Sequence, residues 1–288
     1  MSRSDLLALS AIVMWGGLAA LGVSLSHVPP FLLTGLGLLV GSLIALPLSR
    51  FRPAAWKVPL PTLALGLYGL FGFHLLLFIA LRTAPPVQAN LVNYLWPLGM
   101  VVLAPLLLPG STLRLRQVVA AVLGFAGAAL AILGRSGDAA PAGAAAGALD
   151  AAWHPGYAFA LASAFVWASY SLLTRRVPPF PTAAVGSFAL ASGLLSLACH
   201  AVFEPPAALS ARDVALIVAL GLGPLGGAFF LWDAALKQGQ PQRIGLLAFL
   251  TPLLSTLVVV WTTGQSLSAS VVLAAALIVG AAWWGSRG

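Results

Sequence analysis

The chain alternates between long apolar runs and short groups of charged or turn-forming residues. A helix that crosses a bilayer needs about 20 mostly apolar residues, and the stretches without charge supply ten runs of this kind. We predict ten transmembrane helices, at about residues 6-25, 31-49, 61-81, 87-108, 117-134, 155-174, 180-202, 213-235, 243-262 and 267-285. The pattern is typical of an all-α polytopic membrane protein.

The composition excludes an ordinary soluble domain. Of the 288 residues, 60% are hydrophobic and 7% are charged, whereas soluble domains carry about 25% charged residues. The net charge is +8, but the basic residues fall between apolar runs, which indicates membrane orientation and contact with lipid, not nucleic-acid binding. The single cysteine, Cys199, excludes an internal disulfide and a cysteine metal cluster. We expect no metal, no cofactor and no catalytic residues.

The loop charges predict the orientation. If the N-terminus is inside, the cytoplasmic segments hold 11 of the 14 basic residues, and the outer loops keep Arg82, Arg135 and Arg212. Cytoplasmic loops carry the excess of Lys and Arg in most membrane proteins. We therefore predict that both termini are cytoplasmic.

The two halves of the chain align with each other at an offset of 155 residues. The matched pairs include Gly72 with Gly227, Arg82 with Lys237, Pro86 with Pro241, and Pro97 with Pro252. We predict a first five-helix repeat over residues 1-135, an Ala/Gly/Pro-rich outer linker over 136-152, and a second repeat over 153-288. Because each repeat has an odd number of spans, the second repeat has the opposite orientation in the membrane to the first. Such inverted repeats recur in secondary transporters. A duplicated scaffold without transport is the alternative.

Three of the nine tryptophans, Trp15, Trp96 and Trp167, fall near the centres of predicted helices. A tryptophan facing lipid at that depth would bury its N–H without a partner. We therefore predict that these rings face a central cavity and stack against a substrate, with packing against a neighbouring helix as the alternative. The other six are predicted at or near helix ends, where tryptophan is enriched; they are Trp56, Trp153, Trp232, Trp261, Trp283 and Trp284.

Polar side chains add candidate ligands at a similar depth. His74 is the one ionisable residue that the sequence places well inside a span, and such groups are costly in a membrane. Asn90, Asn93 and Tyr94 could hold a carboxylate or an ammonium group without a fixed charge, although hydrogen bonds between helices would explain them too. Asp233 and Lys237, four residues apart near a cytoplasmic end, are predicted to form an exposed ion pair.

Pro97 and Pro252 are predicted hinges. Each removes a helical hydrogen bond near the middle of a span, and matched helix breaks in two inverted halves indicate a binding site.

The string Asn93-Tyr94-Leu95-Trp96-Pro97, preceded by His74, resembles the YddG-type aromatic amino acid exporters of the drug/metabolite transporter (EamA) superfamily. The resemblance implies a multi-pass protein of the bacterial inner membrane that exports aromatic and other hydrophobic amino acids by alternating access. The substrate-binding residues predicted from the residues and the resemblance together are Trp15, His74, Asn90, Asn93, Tyr94, Trp96 and Trp167.

Other functions stay open at this point. Another small metabolite or a drug is the alternative substrate within the same superfamily. An intramembrane enzyme would need a convergent set of residues, but the four histidines show no paired spacing, and a channel would show repeated polar rings. Packing faces and lipid faces are both apolar, so the sequence is compatible with a monomer and does not exclude an oligomer.

Overall fold

The computed structural model describes residues 2–138, 154–263 and 269–285, and every structural statement refers to these residues. The predicted outer linker, residues 136-152, lies outside the described residues, apart from residues 136–138, which form the end of a helix. The α-helices are Arg3–Gly16 (α1), Leu18–Ser24 (α2), Pro30–Ser42 (α3), Ala45–Leu48 (α4), Leu60–Leu67 (α5), Phe73–Thr83 (α6), Pro86–Asn93 (α7), Trp96–Leu107 (α8), Leu115–Asp138 (α9), Pro155–Leu173 (α10), Val185–Phe203 (α11), Ala211–Leu222 (α12), Ala228–Gln238 (α13), Pro241–Ala248 (α14), Leu250–Thr263 (α15) and Ala269–Gly285 (α16).

These helices join into segments that we number along the chain. Nine segments within the described ranges are long and apolar enough to cross a membrane: Arg3–Gly22, Pro30–Leu48, Leu60–Thr83, Pro86–Leu107, Leu115–Leu133, Pro155–Leu173, Thr182–Phe203, Ala211–Gln238 and Pro241–Val258. The tenth segment, Ala269–Gly285, is apolar and 17 residues long. The all-α membrane architecture is therefore confirmed, whereas the count of ten spans, the inverted arrangement and the cytoplasmic termini stay predictions.

Local sequence signals explain where the segments begin. Four of them start at a proline, namely Pro30, Pro86, Pro155 and Pro241. Proline suits the first helical position because its fixed φ is helical and its missing N–H would have no partner there. Segments 1 and 8 begin instead with capping boxes, in which a serine at the N-cap and an aspartate three residues later bond each other's backbone N–H.

The two halves pack into each other. The most extensive helix pairings join segment 5 to 10, segment 2 to 7, segment 3 to 6, and segment 1 to 8. Each pairing joins one segment of the first half to one segment of the second. Segment 3 corresponds to segment 8 and segment 6 corresponds to segment 1, so the 3–6 and 1–8 pairings are equivalent. Segments 4 and 9 also contact each other, through α8 and α14. The centre of the bundle is therefore formed by segments from both halves.

Interruptions occur at corresponding positions of the two halves. Segment 3 contains a π-helical turn at Tyr68–Gly72, and segment 8 contains one at Gly223–Gly227, 155 residues later. The helices that follow each turn, α6 and α13, have bounds that also differ by 155 residues. Segment 4 breaks after Asn93 and segment 9 breaks after Ala248, again at the same offset.

A buried carboxylate ties three segments together at the predicted outer end. Glu204, at the end of segment 7, accepts hydrogen bonds from the backbone N–H groups of Phe31 and Leu32 at 3.0 and 3.2 Å. It also pairs with Arg82 of segment 3 at 3.1 Å and with His200 at 3.0 Å. A carboxylate at a helix N-terminus satisfies unpaired N–H groups and complements the helix dipole. Glu204 therefore fixes the start of segment 2 against segments 3 and 7.

Segments 2 and 8 approach each other through glycines at the second π-helical turn. A methyl group added at Gly41 would lie 2.8 Å from the Cα atom of Gly226 and 2.9 Å from the carbonyl oxygen of Gly221. Both neighbours are backbone atoms, so they cannot move aside as a side chain could. The close approach therefore requires glycine at this position.

We expect Gly41→Ala to lower the free energy of unfolding by about 1–3 kcal/mol, the usual cost of overpacking. Thermal unfolding of the purified protein in detergent measures the change. Gly280→Ala is the matched control, because its added methyl group would meet nothing within 4 Å, and alanine favours the helix by up to about 1 kcal/mol. Equal stability of the two variants would contradict the close contact.

Candidate functional site: an aromatic cluster at the centre of the bundle

The structure brings together the three tryptophans that the sequence placed near mid-span. The ring centroids of Trp15 and Trp96 are 6.3 Å apart, those of Trp15 and Trp167 are 5.9 Å apart, and those of Trp96 and Trp167 are 6.3 Å apart. All three contacts are edge-to-face, an arrangement that the charge distribution of aromatic rings favours. Segments 1, 4 and 6 therefore meet through indole rings.

A fourth tryptophan, Trp232, belongs to the same cluster, so its predicted place at a helix end was wrong. Its side chain is 1% exposed, and its ring centroid lies 5.1 Å from that of Trp15 and 5.6 Å from that of Trp96. Segment 8 continues to Gln238, so Trp232 lies well inside it. The indole N–H donates to the hydroxyl of Ser171 at 3.1 Å, which makes burial tolerable.

The π-helical turn of segment 8 provides the partner for another indole. Trp15 donates its N–H to the carbonyl oxygen of Pro224 at 3.1 Å, and Pro224 lies inside the turn Gly223–Gly227. A local change in the helical hydrogen-bond pattern leaves carbonyl groups available to other donors. For Trp15 and Trp232, the structure thus shows packing and a hydrogen bond to a neighbouring segment.

Phenylalanine and tyrosine rings extend the cluster. Phe229 contacts Trp15 at 6.2 Å and Trp167 at 5.5 Å, and Phe73 contacts Trp167 at 5.3 Å. Tyr170 lies 5.4 Å from Trp167 on the same helix. Sequence reasoning missed these residues, because 14 phenylalanines are spread through the apolar runs and their spacing marks none of them as central.

His74 lies beside the cluster. Its side chain is buried, its ring is 5.1 Å from Phe73 and 6.3 Å from Phe229, and its Nδ1 is 2.6 Å from the carbonyl oxygen of Leu70. A carbonyl oxygen can only accept, so Nδ1 carries the hydrogen and Nε2 of a neutral ring is the acceptor. Because Leu70 belongs to the first π-helical turn, this turn orients the histidine.

The asparagines and the proline pair occupy the broken parts of segments 4 and 9. Asn93 is buried, and its Oδ1 accepts a hydrogen bond from Ser163 of segment 6 at 2.8 Å. Asn90 and Tyr94 are half-buried, and the backbone N–H of Tyr94 donates to the carbonyl of Asn90 at 3.0 Å. Asn93 thus engages a neighbouring helix, which is the alternative that the sequence left open.

Pro97 and Pro252 both follow a helix break closely. Pro97 is the second residue of α8, which begins after the turn at residues 94–95. Pro252 is the third residue of α15, which begins after the single turn residue Phe249. The breaks lie before the prolines because a proline fits the first turn of a helix better than its interior.

Asp233 and Lys237 form the predicted ion pair, with a distance of 2.6 Å between Oδ2 and Nζ, but the prediction of exposure holds for the lysine and not for the carboxylate. The side chain of Asp233 is 3% exposed. Its partner Lys237 contacts the loop before segment 7, donating to the carbonyl of Phe180 at 2.9 Å and lying 3.8 Å from the centre of the Phe180 ring. Asp233 is therefore an ionisable residue buried within a segment, as are His74 and, nearer the segment ends, Asp5 and Asp213.

The described residues contain no group of three or more His, Cys, Asp or Glu side chains that could hold a metal ion. What the site offers chemically is a set of aromatic faces and edges, a few neutral polar groups around them, and one buried carboxylate. Such a site can bind an apolar ring that carries a small charged group.

The model of the EamA-like transporter family matches residues 2–133 and 154–286. The chain belongs to this family, and it is a multi-pass transporter of the bacterial inner membrane. The family model matches twice, once in each half of the chain.

Individual relatives cover nearly the whole chain. The chain is 39% identical over 287 residues to the aromatic amino acid exporter YddG of Ancylobacter novellus, covering 98% of this chain and 97% of that protein. It is 30% identical over 304 residues to a probable amino-acid metabolite efflux pump of Salmonella typhimurium, covering 97% and 93%. A solved crystal structure superimposes with a TM-score of 0.89 at 38% identity, covering 99% and 96%. The resemblance to YddG-type proteins is therefore confirmed.

We expect Trp15→Phe to weaken the tryptophan bands of the near-UV circular dichroism spectrum more than Trp283→Phe does. Trp15 contacts four other rings of the cluster, and rigid packing of aromatic side chains produces this signal. Trp283 is 57% exposed. Far-UV spectra of both variants check that the helices are retained, and an equal loss in the two variants would contradict the cluster.

Proposed function

We propose that this protein exports amino acids, aromatic and other hydrophobic ones, across the inner membrane by alternating access. The transporter class follows from the family, and the relative named an aromatic amino acid exporter supports this substrate class. The observation that carries the proposal in the structure is the aromatic cluster, in which segments of both halves meet around Trp15, Trp96, Trp167 and Trp232.

The cluster suits a substrate with an aromatic ring because ring contacts are interchangeable. An edge-to-face pair contributes about 0.5–1.5 kcal/mol beyond its buried area, and a substrate ring that enters the cluster replaces contacts of one indole by equivalent contacts of its own. Trp15, Trp96 and Trp167 would hold the ring in this way. Opening the cluster to admit the ring therefore costs less than creating an empty apolar cavity would.

Neutral polar groups would bind the polar end of the substrate. His74 is fixed through Nδ1, which leaves Nε2 for a ligand. Asn90, Asn93 and Tyr94 lie at the broken part of segment 4, where helix ends provide unpaired backbone groups. In the proposed mechanism these four residues face the carboxylate or the ammonium group once Asn93 releases Ser163.

The matched interruptions would allow the bundle to open at either side. In transporters built from inverted repeats, the substrate site lies near the midplane beside discontinuous helices. Here the breaks before Pro97 and Pro252 and the two π-helical turns fall at corresponding positions, and we propose that the two prolines mark hinges. Ten spans in two inverted five-helix repeats, with both termini cytoplasmic, complete the proposal.

A second candidate substrate has its own support. The relative described as a probable amino-acid metabolite efflux pump, at 30% identity, favours a derivative of an amino acid. The aromatic cluster would bind the apolar part of such a derivative equally well. A transport assay with both amino acids and amino acid derivatives as substrates distinguishes the two candidate substrate classes.

We expect the protein in liposomes to catalyse counterflow of labelled phenylalanine or tryptophan without an imposed gradient. Trp96→Ala should reduce the initial rate roughly tenfold, as expected for the loss of an aromatic contact worth about 1.5 kcal/mol. Trp283→Ala is the matched control, because this tryptophan is exposed on the outside of the bundle and should leave the rate unchanged.

Absence of counterflow for all amino acids, from protein that retains its native unfolding transition, would contradict the amino acid assignment. Counterflow of amino acid derivatives alone would instead favour the second candidate. Equal rates for Trp96→Ala and Trp283→Ala would contradict the role of the cluster while leaving the substrate class in place.

A further inference from the structure

The carboxylate of Asp233 has one oxygen without a partner. The side chain is 3% exposed, and Oδ2 pairs with Lys237 at 2.6 Å. Oδ1 is buried and has no hydrogen-bond partner within 3.5 Å among the described residues, while the side chain of Thr182 interacts with the carboxylate as well. A buried carboxylate oxygen without a partner is costly. Its retention inside segment 8 therefore needs an explanation beyond the ion pair.

Asp233 lies one helical turn from a ring of the aromatic cluster. It follows Phe229 by four residues on the same helix, so the two share one face and are separated by about 6 Å along the helix axis. Phe229 contacts Trp15 and Trp167. The carboxylate thus lies one helical turn from the rings, towards the predicted cytoplasmic side.

Lys237 does not depend on Asp233 alone. Its Nζ donates to the carbonyl oxygen of Phe180 at 2.9 Å, lies 3.8 Å from the centre of the Phe180 ring, and is 3.5 Å from the hydroxyl of Thr182. A carbonyl oxygen and an aromatic face both stabilise an ammonium group. Asp233 and Lys237 both belong to α13, so a rotation of the lysine side chain, with Nζ kept by these partners, can release the carboxylate.

We propose that Asp233 binds the α-ammonium group of the amino acid substrate when the cytoplasmic side opens, and that the Lys237 ammonium group occupies that place in the closed structure. The proposal rests on the amino acid export proposed above. Exchange of one ammonium group for another keeps the carboxylate paired throughout, so the buried charge is never left alone. The short distance from Asp233 to Phe229 lets one substrate place its ring in the cluster and its ammonium group at the carboxylate.

The test uses three competitors in the phenylalanine counterflow assay: phenylalanine, phenethylamine, which lacks the carboxylate, and 3-phenylpropionate, which lacks the ammonium group. For the wild-type protein we expect phenethylamine to compete better than 3-phenylpropionate. Asp233→Asn should raise the half-inhibitory concentration of phenylalanine and of phenethylamine at least roughly tenfold, and leave that of 3-phenylpropionate unchanged, because a charged hydrogen bond is lost only with the ammonium group.

Lys237→Gln distinguishes a binding residue from a structural ion pair. It removes the competing ammonium group, so the half-inhibitory concentrations of phenylalanine and phenethylamine should fall, opposite to the effect of Asp233→Asn. Shifts of the two variants in the same direction, for all three competitors, would overturn the proposal. They would mean that the pair serves only to hold segment 8 against segment 7.

The double variant Asp233→Asn/Lys237→Gln keeps the test decisive if one single variant does not fold, because it leaves no unpaired charge. It should fold and should not distinguish phenethylamine from 3-phenylpropionate, whereas a retained preference for phenethylamine would overturn the proposal. Lack of counterflow of every labelled amino acid by the wild-type protein contradicts the proposed function itself. Wild-type counterflow with an unaltered competitor profile in Asp233→Asn contradicts only the role of Asp233.

Discussion

The contacts among four indole rings at the centre of the bundle hold segments 1, 4, 6 and 8 together, and they depend on two hydrogen bonds. Trp15 donates to the carbonyl of Pro224 and Trp232 donates to the hydroxyl of Ser171. An indole N–H without a partner would make burial of these rings unfavourable. The carbonyl of Pro224 lies in a π-helical turn, so the cluster and the interruption of segment 8 stabilise each other.

The interruptions are tolerated where other segments cover them, as at Gly69 and Leu70 in the first π-helical turn and at Pro224, Leu225 and Gly226 in the second. Every backbone polar group at membrane depth must be hydrogen-bonded or covered by protein. Both π-helical turns are close to the aromatic cluster: one contains Leu70, whose carbonyl binds His74, and the other contains Pro224. The breaks of segments 4 and 9 fall 155 residues apart, as the turns do. The places where the bundle can bend therefore surround the place where we propose that the substrate binds.

Much of this arrangement could be predicted from the sequence, because charges and mid-span tryptophans are rare in apolar runs. The nine candidate spans follow the gaps between charges. The depths of Trp15, Trp96 and Trp167 predicted that these rings face the centre of the bundle, where the structure brings them into mutual contact. Trp232 and Asp233 were predicted too close to the end of segment 8 because this segment continues beyond its predicted end. The loop before segment 7 also contacts the end of segment 8, at Lys237. This tertiary contact joins distant parts of the chain, and no local sequence pattern predicts it. The π-helical turns were missed since glycine-rich apolar runs fit regular helices equally well.

The central claim is that the ring of the substrate lies within the aromatic cluster. The most direct measurement is anomalous X-ray diffraction from crystals of the protein grown with 4-iodophenylalanine, which locates the iodine atom without reference to any assumed pose. We expect an anomalous peak between segments 1, 4, 6 and 8, in contact with Trp15 and Trp96. A peak elsewhere in the molecule, with the four indole rings still in mutual contact, would contradict it.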